Sequence, residues 1–242
     1  MFKSFGLYLI FSVLFSSSIA QNNTPIIVND NMVWLGYFSM IKFNERWSLN
    51  SDSQFRTRNE VKNNSQALIR MGLSYKLNEK VDVTLGLAHF RFFITNDKTR
   101  GEWRPWQEVK ILDQIGKVKL SHRFRVEQRF NELVKNREAV NEYQFNLRFR
   151  YRFDLRFPLI KEKEKGSNLY YILGNELMIN VGNTIVYNYF DQNRLYTGIN
   201  YEINKKISLQ LQYMHLWQQA SDGLSLNSNN IVRFNIYHTI SI

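Results

Sequence analysis

The sequence predicts an all-β protein, a transmembrane antiparallel up-and-down β-barrel, and three observations carry that expectation. Glu142 to Phe157 reads EYQFNLRFRYRFDLRF, with Tyr143, Phe145, Leu147, Phe149, Tyr151, Phe153, Leu155 and Phe157 on one parity and polar or charged residues on the other. A period of two is the signature of an extended strand with one apolar and one charged face. At roughly 3.3 Å per residue the run can cross a bilayer while tilted, whereas strands in soluble domains usually stop near 5 to 6 residues. Connections between such runs alternate between tight and long, as periplasmic turns and outer loops do. Beyond the first twenty residues no run of about 18 apolar residues could form a spanning helix.

Taken in order, the chain opens with a short basic start (Met1, Phe2, Lys3), an apolar stretch from Phe5 to Phe15, and Ser18-Ile19-Ala20 before Gln21. This is the pattern of an export signal, so residues 1–20 are expected to be removed and residues 21–242 to form one barrel domain. Thr24 to Phe43 holds one strand or two short ones. Alternation then recurs at Trp47 to Arg56, Gln66 to Leu77, Val81 to Leu87, Glu108 to Ile111, Val118 to Phe130, the long run itself, Leu169 to Ile179, Leu195 to Ile203, Ile207 to Trp217 and Val232 to Ile242.

The tight connections are Asn44 to Arg46, Asn78 to Lys80, Asp113 to Gly116 and Asn204 to Lys206. The longer ones are Asn59 to Asn64, Asn96 to Glu102, Asn131 to Asn141, Asn180 to Gln192 and Gln218 to Asn229, while Lys161 to Lys165 is a charged turn of its own. About eleven strands can be counted. Bacterial single-chain barrels nearly always have an even number, so two short strands at the N-terminus, giving about twelve, is the expectation, with ten as the alternative.

The charge of +11 points to anionic partners. Its bases are spread through strands rather than gathered in a tail, and an exported chain does not meet nucleic acid, so outer-membrane lipid and small anionic solutes are the partners expected. A mean hydropathy of −0.39 is compatible with a membrane barrel, in which only alternate residues meet lipid. The absence of cysteine removes disulfide and thiolate chemistry.

Energetics then assign the faces. An arginine facing lipid at the midplane costs roughly 2 to 4 kcal/mol, so a membrane barrel must turn Arg148, Arg150, Arg152 and Arg156 toward the lumen. A soluble sandwich would use the opposite assignment, but strand length, aromatic abundance and loop alternation favour the membrane. Lumen-lining bases are expected at Arg123, Arg125, Arg129, Arg148, Arg150, Arg152 and Arg156, with Glu108, Glu127 and Asp154 as acidic partners. Unpaired guanidinium groups would make an anion-selective path. Guanidinium groups bonded to carboxylates would fill and close the lumen, leaving a structural or partner-binding barrel.

No enzyme, metal site or cofactor is expected. None of His89, His122, His215 and His238 has a serine two residues away on its own face, and Ser121 and Ser241 point away from their neighbouring histidines. The histidines join Trp34, Trp47, Trp103 and Trp217 in an expected interfacial belt, with His122 deeper than the rest. Glu127 with Glu108 or Asp154 could pair for hydrolysis, but the neighbouring arginines favour salt bridges.

The chain resembles the bacterial family called domain of unknown function 2490, outer-membrane barrels of Gram-negative bacteria. The resemblance rests on Trp34 and Trp47, RMGLSYKLN from Arg70 to Asn78, Trp106-Gln107, RFRVEQRF, RFRYR from Arg148 to Arg152, Asn175-Glu176, and Asn193-Arg194 leading to Gly198 and Tyr201. It implies fold and location, and brings no catalytic residues. A looser similarity, of architecture and charge, links the chain to small monomeric channels for acidic oligosaccharides with arginine-lined pores.

Overall fold

The computed structural model describes residues 26–95, 97–161 and 168–242. The expected signal segment, residues 1–20, and most of the charged turn at Lys161 to Lys165 lie outside them. Among the described residues, eleven strands form one closed barrel: β1 (Ile26–Lys42), β2 (Trp47–Arg58), β3 (Asn63–Lys76), β4 (Val81–Phe93), β5 (Thr99–Ile115), β6 (Val118–Lys135), β7 (Glu138–Lys161), β8 (Asn168–Val181), β9 (Phe190–Glu202), β10 (Ile207–Gln219) and β11 (Ser225–Ser241).

Each strand pairs antiparallel with the next, and β1 closes the barrel by pairing parallel with β11, Trp34 opposite Arg233 and Lys42 opposite Ser241. The parallel seam follows from the odd number, because alternating directions bring the first and last of eleven strands to the same sense. The N-terminal segment is one strand of 17 residues rather than two short ones, so the count is eleven, one below the twelve expected.

Three of the four tight connections share a local device. In Phe43-Asn44-Glu45-Arg46, Leu77-Asn78-Glu79-Lys80 and Ile203-Asn204-Lys205-Lys206, the asparagine Oδ1 accepts two backbone N–H groups beyond it, for Asn44 at 2.9 Å from Arg46 and 2.8 Å from Trp47. A side chain that satisfies turn amides reverses the chain within four residues. This end of the barrel is the turn end; the other, with the connections after β2, β4, β6, β8 and β10, is the loop end.

One expected long loop is absent. Between β6 and β7 the turn is only Asn136-Arg137, at φ of 51° and 63°, and the strands run up to it. Two successive residues in the left-handed region make the tight turn whose twist matches a hairpin. A register shift between Glu132 and Val134, with Asn141 at φ of 55°, breaks the period of two there. Glu142, which parity alone assigns to the lumen, consequently lies exposed on the projecting hairpin, paired with Lys135 at 2.9 Å.

The outward face carries Leu35, Ile69, Met71, Leu85, Leu87, Phe124, Phe145, Phe149, Leu211 and Val232, all exposed. A continuous band of this kind would be untenable in water and suits hydrocarbon. Inside, the wall is only partly charged. Trp34, Ile172, Tyr196, Met214, Leu216 and Ile231 form one buried apolar cluster, and Leu68, Ala88, Phe90 and Trp106 another. Trp34 therefore belongs to the lumen and not to the interfacial belt. The Trp106 indole lies over Gly72 and Gly86, where an added Cβ would come within 2.6 and 2.4 Å of the ring, so glycine is what lets the indole lie flat on the wall.

Candidate functional site: an arginine-lined lumen

Strand pairing sets an electrostatic problem on the β6–β7 wall. Arg123 stands opposite Arg152, Arg125 opposite Arg150, and Lys119 opposite Arg156, all on the inward face; Glu127 opposite Arg148 is an attractive exception. Like charges directly across a ladder repel. The guanidinium groups escape by reaching to carboxylates on flanking strands.

Glu108 of β5 accepts from Arg125 Nε at 2.7 Å, and Glu176 of β8 accepts from Arg150 Nη2 at 2.7 Å and from Arg123. Glu127 accepts from Arg148 Nε at 2.9 Å and from Arg150 Nη1. Arg129 donates to Glu102 at 2.7 Å, Arg148 to Asp191 at 2.8 Å, and Arg156 to Glu202 at 3.1 Å. Arg152 pairs with Asp154 at 2.8 Å, and Asp154 also accepts the Tyr196 hydroxyl. All ten site residues expected from sequence thus face the lumen; Arg123, Arg125, Arg129, Arg148, Arg150, Glu108 and Glu127 join one network through Glu102, Arg104 and Glu176, while Arg152–Asp154 and Arg156–Glu202 stand apart from it.

Sequence reasoning missed Glu102 and Asp191, because each falls in a segment expected to be loop. Both are buried inside the barrel, Glu102 completely. The acids that seem too few on β6 and β7 are supplied by β5, β8 and β9. Glu102 and Glu108 each serve two guanidinium groups and Glu176 serves three, the arrangement under which desolvated charge is tolerable.

Toward the loop end the balance changes. A cavity of about 450 Å³ opens there, lined by arginines of seven strands, including Arg56, Arg100, Arg104, Arg194 and Arg233. Among the described residues its carboxylates are Asp30, Glu176 and Asp191. Among the described residues Arg56 has no carboxylate partner: it donates to Gln66 at 2.8 Å and Gln54 at 3.0 Å, and its guanidinium lies 3.9 Å over the Trp34 ring. Arg194 and Arg233 approach the same ring at 5.2 and 5.9 Å. A tryptophan face offers cations an attraction that leaves their N–H groups available to an anion.

In the wall around this basin, the side chains of Glu102, Glu127, Asn180, Met178, Met214, Ile231 and Asn235 are closed off from solvent.

The histidines all face outward. His89 stacks on Trp103 at 4.4 Å, His122 meets the Tyr151 hydroxyl at 2.9 Å, and His238 the Tyr37 hydroxyl at 2.9 Å. His215 stacks on Trp217 at 4.1 Å and contacts Asn230 and Ser228 across the β10–β11 ladder. Among the described residues, no group of three or more His, Cys, Asp or Glu is disposed to hold a metal ion.

A family profile described as protein of unknown function (DUF2490) matches residues 31–227, from β1 into β11. The chain belongs to DUF2490. The resemblance carried by the short motifs is borne out over nearly the whole barrel. This DUF2490 barrel also superposes on the solved structure of the NanC porin in its rhombohedral crystal form, with a TM-score of 0.51 and 12% identity, over 82% of this chain and 94% of that one. At that identity the likeness is one of fold, a porin-like β-barrel. No curated protein matches the DUF2490 sequence.

Proposed function

We propose that this DUF2490 protein is an integral barrel of the bacterial outer membrane, exported by its N-terminal segment, that captures small anionic solutes in an arginine basin at the loop end of an ion-paired lumen. The observation that carries the reading is the imbalance in the loop-end cavity, where Arg56 and Arg233 stand over Trp34 and, among the described residues, have no carboxylate partner. Carboxylates and phosphates match the planar fork that guanidinium offers. The ion pairing of the lumen wall supports a closed barrel over an open pore, since a conducting path needs unfilled space as well as charge.

Trp34 supplies the test, because the arginines that would bind the anion lie on its ring. Titrating the refolded protein with citrate or inorganic phosphate should give a saturable change in tryptophan fluorescence. The change should weaken with added salt and vanish in the Arg56→Gln, Arg233→Gln double variant. Absence of saturable binding at low ionic strength would refute the basin. In a planar bilayer the protein should show no steady open steps, and reproducible chloride-selective steps would favour the second reading, a continuous anion channel.

A further inference from the structure

The outer face of the β10–β11 hairpin holds a nucleophile, a base and an orienting group in hydrogen-bonded sequence. Ser228 Oγ lies 3.1 Å from His215 Nε2, and His215 Nδ1 lies 3.0 Å from Asn230 Oδ1. The Tyr213 hydroxyl donates to the same Oδ1 at 2.7 Å, while Asn230 Nδ2 turns to Asn31 Oδ1 at 3.4 Å. An amide oxygen only accepts, so His215 carries its proton on Nδ1 and presents the Nε2 lone pair to the serine hydroxyl. That is the tautomer a general base for serine requires.

The expectation of no enzyme rests on spacing within single strands. Here the partners come from two strands, brought together by a register that sets Asn230 opposite His215 and Ser228 opposite Trp217. We infer that Ser228, His215 and Asn230 form a serine hydrolase site for carboxylic esters of membrane lipids. Depth selects the substrate: Trp217, packed at a tilt against His215, marks the level of the membrane interface, where lipid acyl esters lie between headgroup and hydrocarbon.

In the first step Ser228 Oγ bonds to the ester carbonyl carbon as its proton passes to His215 Nε2. The carbon–oxygen bond to the leaving alcohol then breaks, and His215 returns the proton to that oxygen. Water, deprotonated by His215, attacks the acyl-serine, releasing a fatty acid and restoring the hydroxyl.

The backbone amides of β11 are committed to ladders on both sides, so the oxyanion needs a side-chain donor. Asn29 stands directly opposite Ser228 in the parallel seam, on the same outward face and exposed. Its Nδ2 is the group we assign to the oxyanion.

The experiment uses the refolded mature chain in detergent, with folding verified by heat-modifiable gel mobility for every variant. A fluorophosphonate probe, whose fluoride is displaced by an activated serine, should label Ser228 by mass spectrometry. Fatty acid should be released from phosphatidylcholine mixed micelles. Labelling should disappear in Ser228→Ala, persist when Ser53, an exposed serine of β2, is replaced in Ser53→Ala, and slow by roughly 100-fold or more in His215→Ala. Asn230→Ala should lower turnover and Asn230→Asp restore it, as expected of a positioning residue. Asn29→Ala should lower kcat roughly 100-fold with little change in KM. A folded wild-type barrel that neither takes the label nor releases fatty acid overturns the proposal. Label on Ser228 with hydrolysis of a soluble p-nitrophenyl ester and none of phospholipid overturns the lipid substrate.

Discussion

The two halves of the lumen wall solve the same packing problem with opposite chemistry. From β5 to β8 the wall carries the charged network, with Glu102, Glu108, Glu127 and Glu176 holding Arg104, Arg123, Arg125, Arg129, Arg148 and Arg150. On β10, β11 and β1, apart from Asp30 and Arg233, the wall is built of amides and apolar groups: Gln210, Gln212, Met214 and Leu216 face Asn229, Ile231, Asn235 and Trp34. The amide wall makes neutral hydrogen bonds, such as Asn235 to Gln210 at 3.0 Å. A network of shared carboxylates is cooperative and fails when one member is removed, whereas an apolar wall loses stability in proportion to the volume deleted.

The largest effect should therefore come from the charged half. Glu127→Ala leaves Arg148 and Arg150 short of a buried partner and should cost about 3 to 5 kcal/mol, read as a lowered midpoint in urea unfolding followed by gel mobility. In the other half, Met214→Ala opens a void in the cluster around Trp34 and should cost about 2 to 4 kcal/mol in the same assay. If that variant were more damaging than Glu127→Ala, the wall described here as passive would be the keystone.

Gly86→Ala pushes a methyl into the Trp106 indole and should cost about 1 to 3 kcal/mol, with a shifted tryptophan emission as the independent sign of a displaced ring. Smaller still is Arg233→Met. Among the described residues Arg233 has no carboxylate partner, so replacing it should leave stability within about 1 kcal/mol while weakening anion binding. The exposed Lys135–Glu142 pair bounds the series from below, and Glu142→Ala should leave the unfolding transition unchanged.

The period-two pattern made the barrel and the inward arginines legible, because a strand between lipid and a polar interior has no other way to place Arg148, Arg150 and Arg152. What it concealed has identifiable causes. The bulge at Glu132/Val134 scrambles parity, which turned a hairpin into an apparent loop and put Glu142 on the wrong side. Glu102 and Asp191 lie within strands whose polar composition looks like loop. Trp34 suits an interface as well as a lumen, and only its register beside Arg56 and Arg233 decides between them. The Ser228–His215–Asn230 contacts cross a ladder, so no spacing along one strand can announce them.

The parallel seam between β1 and β11 has a practical corollary. Both strands run from the loop end to the turn end, so β1 starts at one rim and β11 finishes at the other. A short epitope placed just ahead of Ile26 and another placed after Ile242 would be reached by antibodies from opposite sides of the membrane. In a barrel of even strand number the two labels would report the same compartment. Two-colour staining of intact and permeabilised cells would thus count the strands, odd or even, without any crystal.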